Sequence, residues 1–152
     1  MYPDPRVAEF IDKHFVPVRV HVKEQPEQFQ ALGARFNASW TPTTLIIDHT
    51  GAEKHRIEGF LPADDFLAQL RLGLAHSKFR RGLFTEAAQQ FSEVVENHPA
   101  TEAAPEALYW AGVSQYKSLN DPTALSATAE EFRTRYSDTS WAKKASVWDV
   151  NR

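Results

Sequence analysis

The sequence predicts an α/β layer followed by an all-helical region. In the first half, valines at every second position over 16–22 and a compact apolar run at 45–47 are typical of strands. From residue 63 onward no strand pattern remains, and apolar residues recur at helical spacing among Ala, Gln and Glu. The expected organisation is a first domain over residues 1–72 and a helical domain over residues 73–152.

The elements before residue 40 begin with clear start signals. Asp4-Pro5 combines an N-cap acid with proline in the first turn, and predicts a helix that continues through Ile11. The alternating valines predict a half-buried strand over 15–22. Pro26 begins a second helix with an apolar stripe. This stripe consists of Phe29, Leu32 and Phe36.

The next segment predicts a β-hairpin and then one long helix. Strands over 43–48 and 53–58 flank a turn in which Gly51 supplies the positive φ that such turns need. A near-continuous helix is expected from Ala63 to Arg81, with acids in its first turn. Its predicted buried stripe consists of Phe66, Leu67, Leu70 and Leu74.

Charge and hydropathy argue against two classes of partner. A formal net charge of −3 with both signs interspersed argues against a nucleic-acid surface. The basic cluster Lys78, Arg80 and Arg81 lies where cations offset a helix dipole. No apolar run approaches the ~18 residues that a membrane span needs. The first residues lack a secretory-signal pattern, so a cytoplasmic location is expected, or a periplasmic one if an upstream signal segment is missing.

Residue types and spacing indicate no catalytic site. The chain has no cysteine, its six histidines lack acids at matching spacing, and its six glycines form no phosphate-binding loop. The Ser and Asp residues show no nucleophile-elbow or triad pattern. We therefore expect no metal, no cofactor and no catalysis from these residues.

The helical half repeats itself at a spacing of 37 residues. When the sequence is displaced by 37 residues and compared with itself, Ala75 aligns with Gly112 and Ala87 with Ala124. Small residues at both aligned positions predict helices that approach closely. The third aligned pair is aromatic and is expected to fill the gap on the far side. This pair is Phe79 and Tyr116.

The first repeat unit, Phe79-x-x-Gly82-x-Phe84-x-Glu86-Ala87-x-x-x-Phe91, resembles the tetratricopeptide (TPR) motif. The second repeat unit matches the TPR motif over 107–116 and departs from it further on. There Leu119 stands in place of the usual glycine and Thr128 in place of the usual aromatic residue. The link over 99–108 is similar to that of bacterial envelope-associated TPR proteins. The resemblance implies a protein or peptide partner.

Two adjacent aromatics, Tyr109 and Trp110, are candidate peptide-binding residues of this half. Neighbouring helical residues cannot both face the same core, so one of them is available to line a concave binding surface. The alternative is that both pack at the edge of a small helical layer.

The first half resembles thioredoxin-like proteins over residues 1–72. The matching segments are Tyr2-Pro3-Asp4-Pro5, Phe15-Val16-Pro17-Val18, Trp40-Thr41-Pro42-Thr43 and Gly59-Phe60-Leu61-Pro62. The resemblance implies that the Thr41–Pro42 bond is cis and presents the backbone of Thr41 to an extended peptide, with Trp40 beside it. The alternative is a trans proline that opens a strand. Trp40, Thr41 and Pro42 are therefore the candidate peptide-binding residues here.

The resemblance also indicates what this sequence lacks. In the family, a Cys-x-x-Cys helix and a central strand precede the segment matched by Tyr2-Pro3-Asp4-Pro5, where this sequence starts. Two hypotheses follow: a non-catalytic interaction module, or a fragment of a thiol–disulfide oxidoreductase whose Cys-x-x-Cys lies upstream of Met1. Without the central strand, strands 15–22 and 43–48 have unpaired edges. This predicts a homodimer through those edges, or direct closure of one strand on the other.

The purified chain should reduce no disulfides, because a thiolate is the nucleophile in that reaction and the chain has no cysteine. An insulin-reduction assay measures this against a control that contains the same dithiol and no protein. Turnover above that control would contradict the prediction.

Overall fold

The computed structural model describes residues 3–150, and the chain divides into two compact units, Met1–Leu67 and Ala68–Arg152. The first unit contains a two-stranded antiparallel sheet with helices. In the described part of the second unit every regular element is helical. The predicted fold class, a partial α/β layer followed by helices, is confirmed.

The first unit contains two short helices, α1 (Pro5–His14) and α2 (Pro26–Phe36), and the start of α3 (Ala63–Arg80). Asp4 caps α1 as predicted, because its side chain accepts a 2.9 Å hydrogen bond from the backbone N–H of Arg6. The buried apolar side chains of this unit are Val7, Phe10, Ile46, Ile57, Phe66 and Leu67.

The predicted hairpin is confirmed as β1 (Thr43–Ile47) and β2 (Glu53–Glu58), which pair antiparallel. The register places Leu45 opposite Arg56, and a bulge interrupts it close to the turn. Gly51 has a φ of 84°, the left-handed conformation that a glycine adopts without strain.

Asp48 holds the turn of the hairpin together. Its Oδ1 accepts hydrogen bonds from the hydroxyl of Thr50 at 2.6 Å and from the backbone N–H groups of Thr50 at 2.9 Å and Ala52 at 3.0 Å. Lys54 Nζ lies 3.0 Å from the other carboxylate oxygen. The Thr50 hydroxyl and then Lys54 lower the pKa of Asp48, so the turn keeps a charged acceptor at neutral pH.

The predicted strand over 15–22 is wrong. These residues form no regular element, and a turn at 22–24 leads into α2. Val16 is 93% exposed and Val18 is 78% exposed. A strand requires a hydrogen-bonded neighbour, and the sheet formed by the described residues contains only β1 and β2. The alternating valines therefore indicate a sequence suited to a strand, but this segment has no partner to pair with.

The second unit continues from α3 with α4 (Phe84–Asn97), α5 (Ala103–Leu119), α6 (Thr123–Arg135) and α7 (Ser140–Ala145). A short 3₁₀ turn, Ser146–Trp148, follows α7. Side chains from all five helices form one core. Its most completely buried large members are Phe91, Phe132, Leu72 and Val94.

The long helix is confirmed, because α3 runs without interruption from Ala63 to Arg80, but its predicted buried stripe is wrong in part. Leu70 is buried as predicted, whereas Leu74 is only half-buried and Leu72 is fully buried. The reason is that α3 has a second buried face. This face consists of Ala68, Leu72 and Ala75, which belong to the helical core.

Small residues allow helices α5 and α6 to approach closely, as the repeat predicted. Gly112 lies so near Thr128 that an added Cβ would be 2.2 Å from the Thr128 hydroxyl oxygen. The expectation that Tyr116 fills a gap is wrong, because its side chain is exposed.

Leu70→Ala should lower the free energy of unfolding by about 2–5 kcal/mol, because Leu70 is buried and its truncation leaves a cavity. Urea denaturation measures the change. Leu119→Ala removes the same atoms from an exposed site and should change stability by less than about 0.5 kcal/mol. A neutral Leu70→Ala would show that this face of α3 is not packed.

Gly112→Ala should destabilise the chain by about 1–3 kcal/mol, because the new methyl group overlaps Thr128. The clash must cost more than the ~1 kcal/mol of helix stability that alanine gains over glycine in a helix interior. A double-mutant cycle with Thr128→Ala tests the cause, since that change removes the closest atom. Additive effects of the two substitutions would contradict the proposed clash.

Candidate functional site

The end of α2 and the start of the hairpin hold the predicted residues Trp40, Thr41 and Pro42. Asn37 ends α2 in the left-handed conformation with a φ of 50°, and Ala38 N–H donates to the carbonyl of Gly33 at 2.8 Å. This reversal directs the chain from the helix toward β1.

Arg56 on β2 fastens this segment to the sheet. Its guanidinium donates hydrogen bonds to the carbonyls of Phe36 and Asn37, which the helix end leaves without an intrahelical donor. The guanidinium of Arg56 also forms two ion pairs: its Nη2 lies 2.8 Å from Glu53 Oε2, and its Nη1 lies 3.1 Å from Glu58 Oε1. The bond from Arg56 lowers the pKa of Glu53, and the carboxylates raise that of Arg56, so the cluster stays ionised and paired.

Hydrogen bonds hold the backbone on both sides of the candidate residues. The hydroxyl of Thr43 donates to the carbonyl of Trp40 at 2.6 Å, and Gly59 N–H donates to the carbonyl of Pro42 at 2.8 Å. The Thr41–Pro42 peptide bond is cis. Trp40 is 67% exposed, and Thr41 and Pro42 are exposed as well. The structure therefore brings the three predicted residues together on a fixed, accessible backbone.

Phe60 is a further residue of this surface that the sequence reasoning did not select. The bond between Gly59 N–H and the Pro42 carbonyl extends the contact of the two strands by one residue, and Phe60 directly follows Gly59. Its side chain is 74% exposed. The predicted hairpin carried the necessary information, because pairing the two strands about Gly51 places residue 59, the neighbour of Phe60, beside Pro42. We call Trp40, Thr41, Pro42 and Phe60 the hairpin-end surface; all four residues are uncharged.

The second pair of candidate residues lies in the helical unit, where aromatic rings form a continuous row. The ring centres of Phe79 and Trp110 are 5.1 Å apart, and those of Trp110 and Tyr109 are 5.5 Å apart. The ring of Tyr109 stacks on that of Trp148 with 4.6 Å between their centres. Trp141 lies 5.3 Å from Tyr109. We call these five residues the aromatic row; it joins α3, α5, α7 and the 3₁₀ turn.

Tyr109 and Trp110 pack in different directions, which explains how adjacent helical residues are both half-buried. Trp110 contacts α3, where its ring lies 5.5 Å from His76, whereas Tyr109 contacts Trp141 and Trp148 near the end of the chain. Each ring therefore packs against aromatic side chains of a different neighbouring element. Trp141 and Trp148 were not selected from the sequence; Trp141 lies in α7, and Trp148 lies in the 3₁₀ turn that follows it.

Polar groups next to the aromatic row are few. His76 Nε2 lies 3.2 Å from Glu106 Oε1, and Lys144 Nζ lies 3.9 Å from the centre of the Trp141 ring. The indole N–H of Trp110 is buried and has no hydrogen-bond acceptor within residues 3–150. In the same range no group of three or more metal-ligating side chains occurs, and no helix is both long and apolar enough to span a bilayer.

Comparison with known families finds a match in each half of the chain. Residues 1–73 match the family model of a thioredoxin-like domain, and residues 106–139 match that of a tetratricopeptide repeat. The second match covers α5 and α6, the unit that departs from the TPR motif at Leu119 and Thr128. No curated protein and no solved structure matches the chain significantly.

Proposed function

Because the chain combines a thioredoxin-like domain with a tetratricopeptide repeat, we propose that it is a non-catalytic module that binds proteins or peptides. The observation that carries this proposal is the hairpin-end surface. Its aromatic side chains Trp40 and Phe60 are mostly exposed, beside a backbone that hydrogen bonds hold in place. Large exposed aromatics at fixed positions are typical of interaction sites.

The chemistry of this surface favours an uncharged, extended partner segment. None of its four residues carries a charge, and the nearby ions Arg56, Glu53 and Glu58 are already paired with one another. An incoming charged group would therefore find no free counter-ion in this cluster. An apolar side chain, in contrast, gains contact area on Trp40 and Phe60.

The helical unit supplies the second part of the proposal. Tyr109 and Trp110 are only half-buried, and both belong to the aromatic row. Their packing against His76 and Trp148 restricts their rotamers, which lowers the entropy lost when a partner contacts them. We assign these two residues to a separate peptide contact in this unit.

Trp40→Ala should weaken peptide binding by about tenfold or more, because a central aromatic contact commonly contributes most of the affinity at such sites. The probes are peptides enriched on the immobilised chain from a phage-displayed library of random peptides. Their dissociation constants for the intact chain and for the variant are then measured by calorimetry.

Leu119→Ala is the matched control for this experiment. Leu119 is 69% exposed, almost the same as Trp40, but it lies at the end of α5 in the other unit. Its truncation should leave the affinity of peptides that bind the hairpin-end surface unchanged. The proposed site is wrong if no peptide is enriched, or if both variants bind the enriched peptides like the intact chain.

The alternative function is that of a thiol–disulfide oxidoreductase of which these residues form a part. The match of residues 1–73 to a thioredoxin-like domain supports it, while the absence of cysteine requires that the reactive thiols come from residues outside this sequence. The coding sequence upstream of Met1 discriminates between the two. An in-frame Cys-x-x-Cys a few codons before Tyr2 would favour the oxidoreductase.

A further inference from the structure

The face of α5 that carries Tyr109 continues as an accessible stripe to the end of the helix. Val113, Tyr116 and Lys117 follow at spacings of four, seven and eight residues, which place them on the same face of a helix. Tyr109 and Val113 are half-buried, whereas Tyr116 and Lys117 are exposed. The opposite face of α5 is buried in the helical core, so a partner reaches α5 from the side of this stripe.

A lysine lies at each end of this aromatic surface. Lys144 Nζ lies 3.9 Å from the ring centre of Trp141, which belongs to the aromatic row. At the other end, Lys117 Nζ lies 5.4 Å from the ring centre of Phe84. Phe84 in turn contacts Phe79 of the row, with 5.2 Å between the ring centres. Both ammonium groups are therefore positioned by cation–π contacts.

The acidic side chains near this surface have basic partners of their own. Three nitrogen–oxygen contacts of 2.8–3.2 Å form these pairs, which are Glu106 with His76, Glu86 with Lys78 and Asp149 with Arg133. In contrast, no carboxylate of residues 3–150 forms an ion pair with Lys117 or Lys144. Two cations beside apolar rings thus lack a counter-ion within the described part of the chain.

We propose that this surface binds an extended, acidic segment of a partner protein. One carboxylate of the segment pairs with Lys117 and a second with Lys144, while apolar side chains between them contact the exposed rings. Charge complementarity decides this choice, because each incoming carboxylate meets a cation that has no carboxylate partner among the described residues. The proposal rests on the peptide contact that we assign to the helical unit, and it names the ligand of that contact.

The distance between the two lysines sets the spacing of the two acids. From Tyr109 to Lys117 the helix rises about 12 Å. Lys144 lies beyond Trp141, whose ring centre is 5.3 Å from that of Tyr109. The two ammonium groups are thus separated by roughly 20 Å, and an extended chain rises about 3.3 Å per residue, so the acids are about six residues apart.

A nucleic-acid strand matches this pattern less well than a protein segment does. Such a strand carries a phosphate at every nucleotide, whereas the five residues of the aromatic row are uncharged. Bases that stack on the rings would therefore bring several phosphates onto an uncharged row. A protein segment can place its carboxylates at the two lysines alone, with neutral residues between them.

Synthetic peptides that carry an uncharged fluorophore test this chemistry on the full chain by fluorescence anisotropy. The first peptide has two glutamates at the expected spacing, with leucine, serine and alanine between them. Replacing both glutamates by glutamine keeps the apolar contacts but removes both charges, and should weaken binding about tenfold. A third peptide of the same composition has both glutamates at one end. It reaches only one lysine and should bind about threefold more weakly than the first.

Lysine substitutions locate the contact. Lys117→Gln and Lys144→Gln should each raise the Kd of the two-glutamate peptide about threefold, and together about tenfold. Lys143→Gln is the matched control, because Lys143 is exposed on α7 but follows Trp141 by two positions and so points away from it. The control should change Kd by less than about twofold. Circular dichroism checks that all variants stay folded.

Several results would overturn this inference. Equal affinities of the glutamate and glutamine peptides would show that the surface selects no charge. Equal effects of Lys143→Gln and Lys144→Gln would assign the effect to net charge rather than to the row. Tighter binding of a single-stranded oligonucleotide than of the acidic peptide, weakened by the same two lysine variants, would assign the surface to nucleic acid.

The same measurements separate this inference from the proposed function on which it rests. Library peptides whose binding depends on Tyr109 and Trp110 but on neither lysine would overturn the acidic ligand alone. The absence of binding by any library peptide and by the acidic peptide would overturn the proposed peptide contact as well.

Discussion

One antiparallel ladder, between β1 and β2, determines the arrangement of the first unit. Its register buries Ile46 and Ile57 and places Arg56 where it binds the end of α2. A shift of one residue would move every side chain of a strand to the opposite face of the sheet. The burial of the hairpin and the bond that fixes the end of α2 therefore depend on the same pairing.

The helical unit depends on the sizes of the side chains between its helices. Gly112 and Thr128 are complementary: the glycine has no Cβ, and the threonine occupies the space that a Cβ would take. An aromatic ring in place of Thr128 would not fit against Gly112 at this distance. The departure from the TPR motif at Thr128 is thus explained by packing with its neighbour, and the large rings lie instead along the aromatic row.

The thioredoxin-like domain of this chain has no thiol, and the geometry of its candidate binding residues requires none. Dithiol chemistry needs a thiolate, but presentation of an extended backbone and of exposed aromatics does not. Thr41 and Pro42 lie in a backbone held by Thr43 and Gly59, and no cysteine is required for that geometry. The geometry of the candidate peptide-binding residues is therefore independent of thiol chemistry.

The sequence by itself determined the elements whose signals are local. The N-cap at Asp4, the turn at Gly51, the uninterrupted helix from Ala63 and the close approach at Gly112 each follow from the conformational preference or size of a few neighbouring residues. The thioredoxin-like match over 1–73 and the tetratricopeptide match over 106–139 were also predictable, since the motifs lie in short segments.

Only the tertiary structure decided features that need a partner distant in sequence. The valines of 16–22 indicate a strand, yet a strand exists only where a neighbour supplies hydrogen bonds, and the described residues supply none. Leu72 rather than Leu74 is fully buried because α3 packs on more than one face, which a single periodic stripe does not show. The opposite orientations of Tyr109 and Trp110 likewise result from contacts with His76 on one side and Trp148 on the other. Local pattern specifies which residues can pair or pack, and the position of the partner decides which of them do.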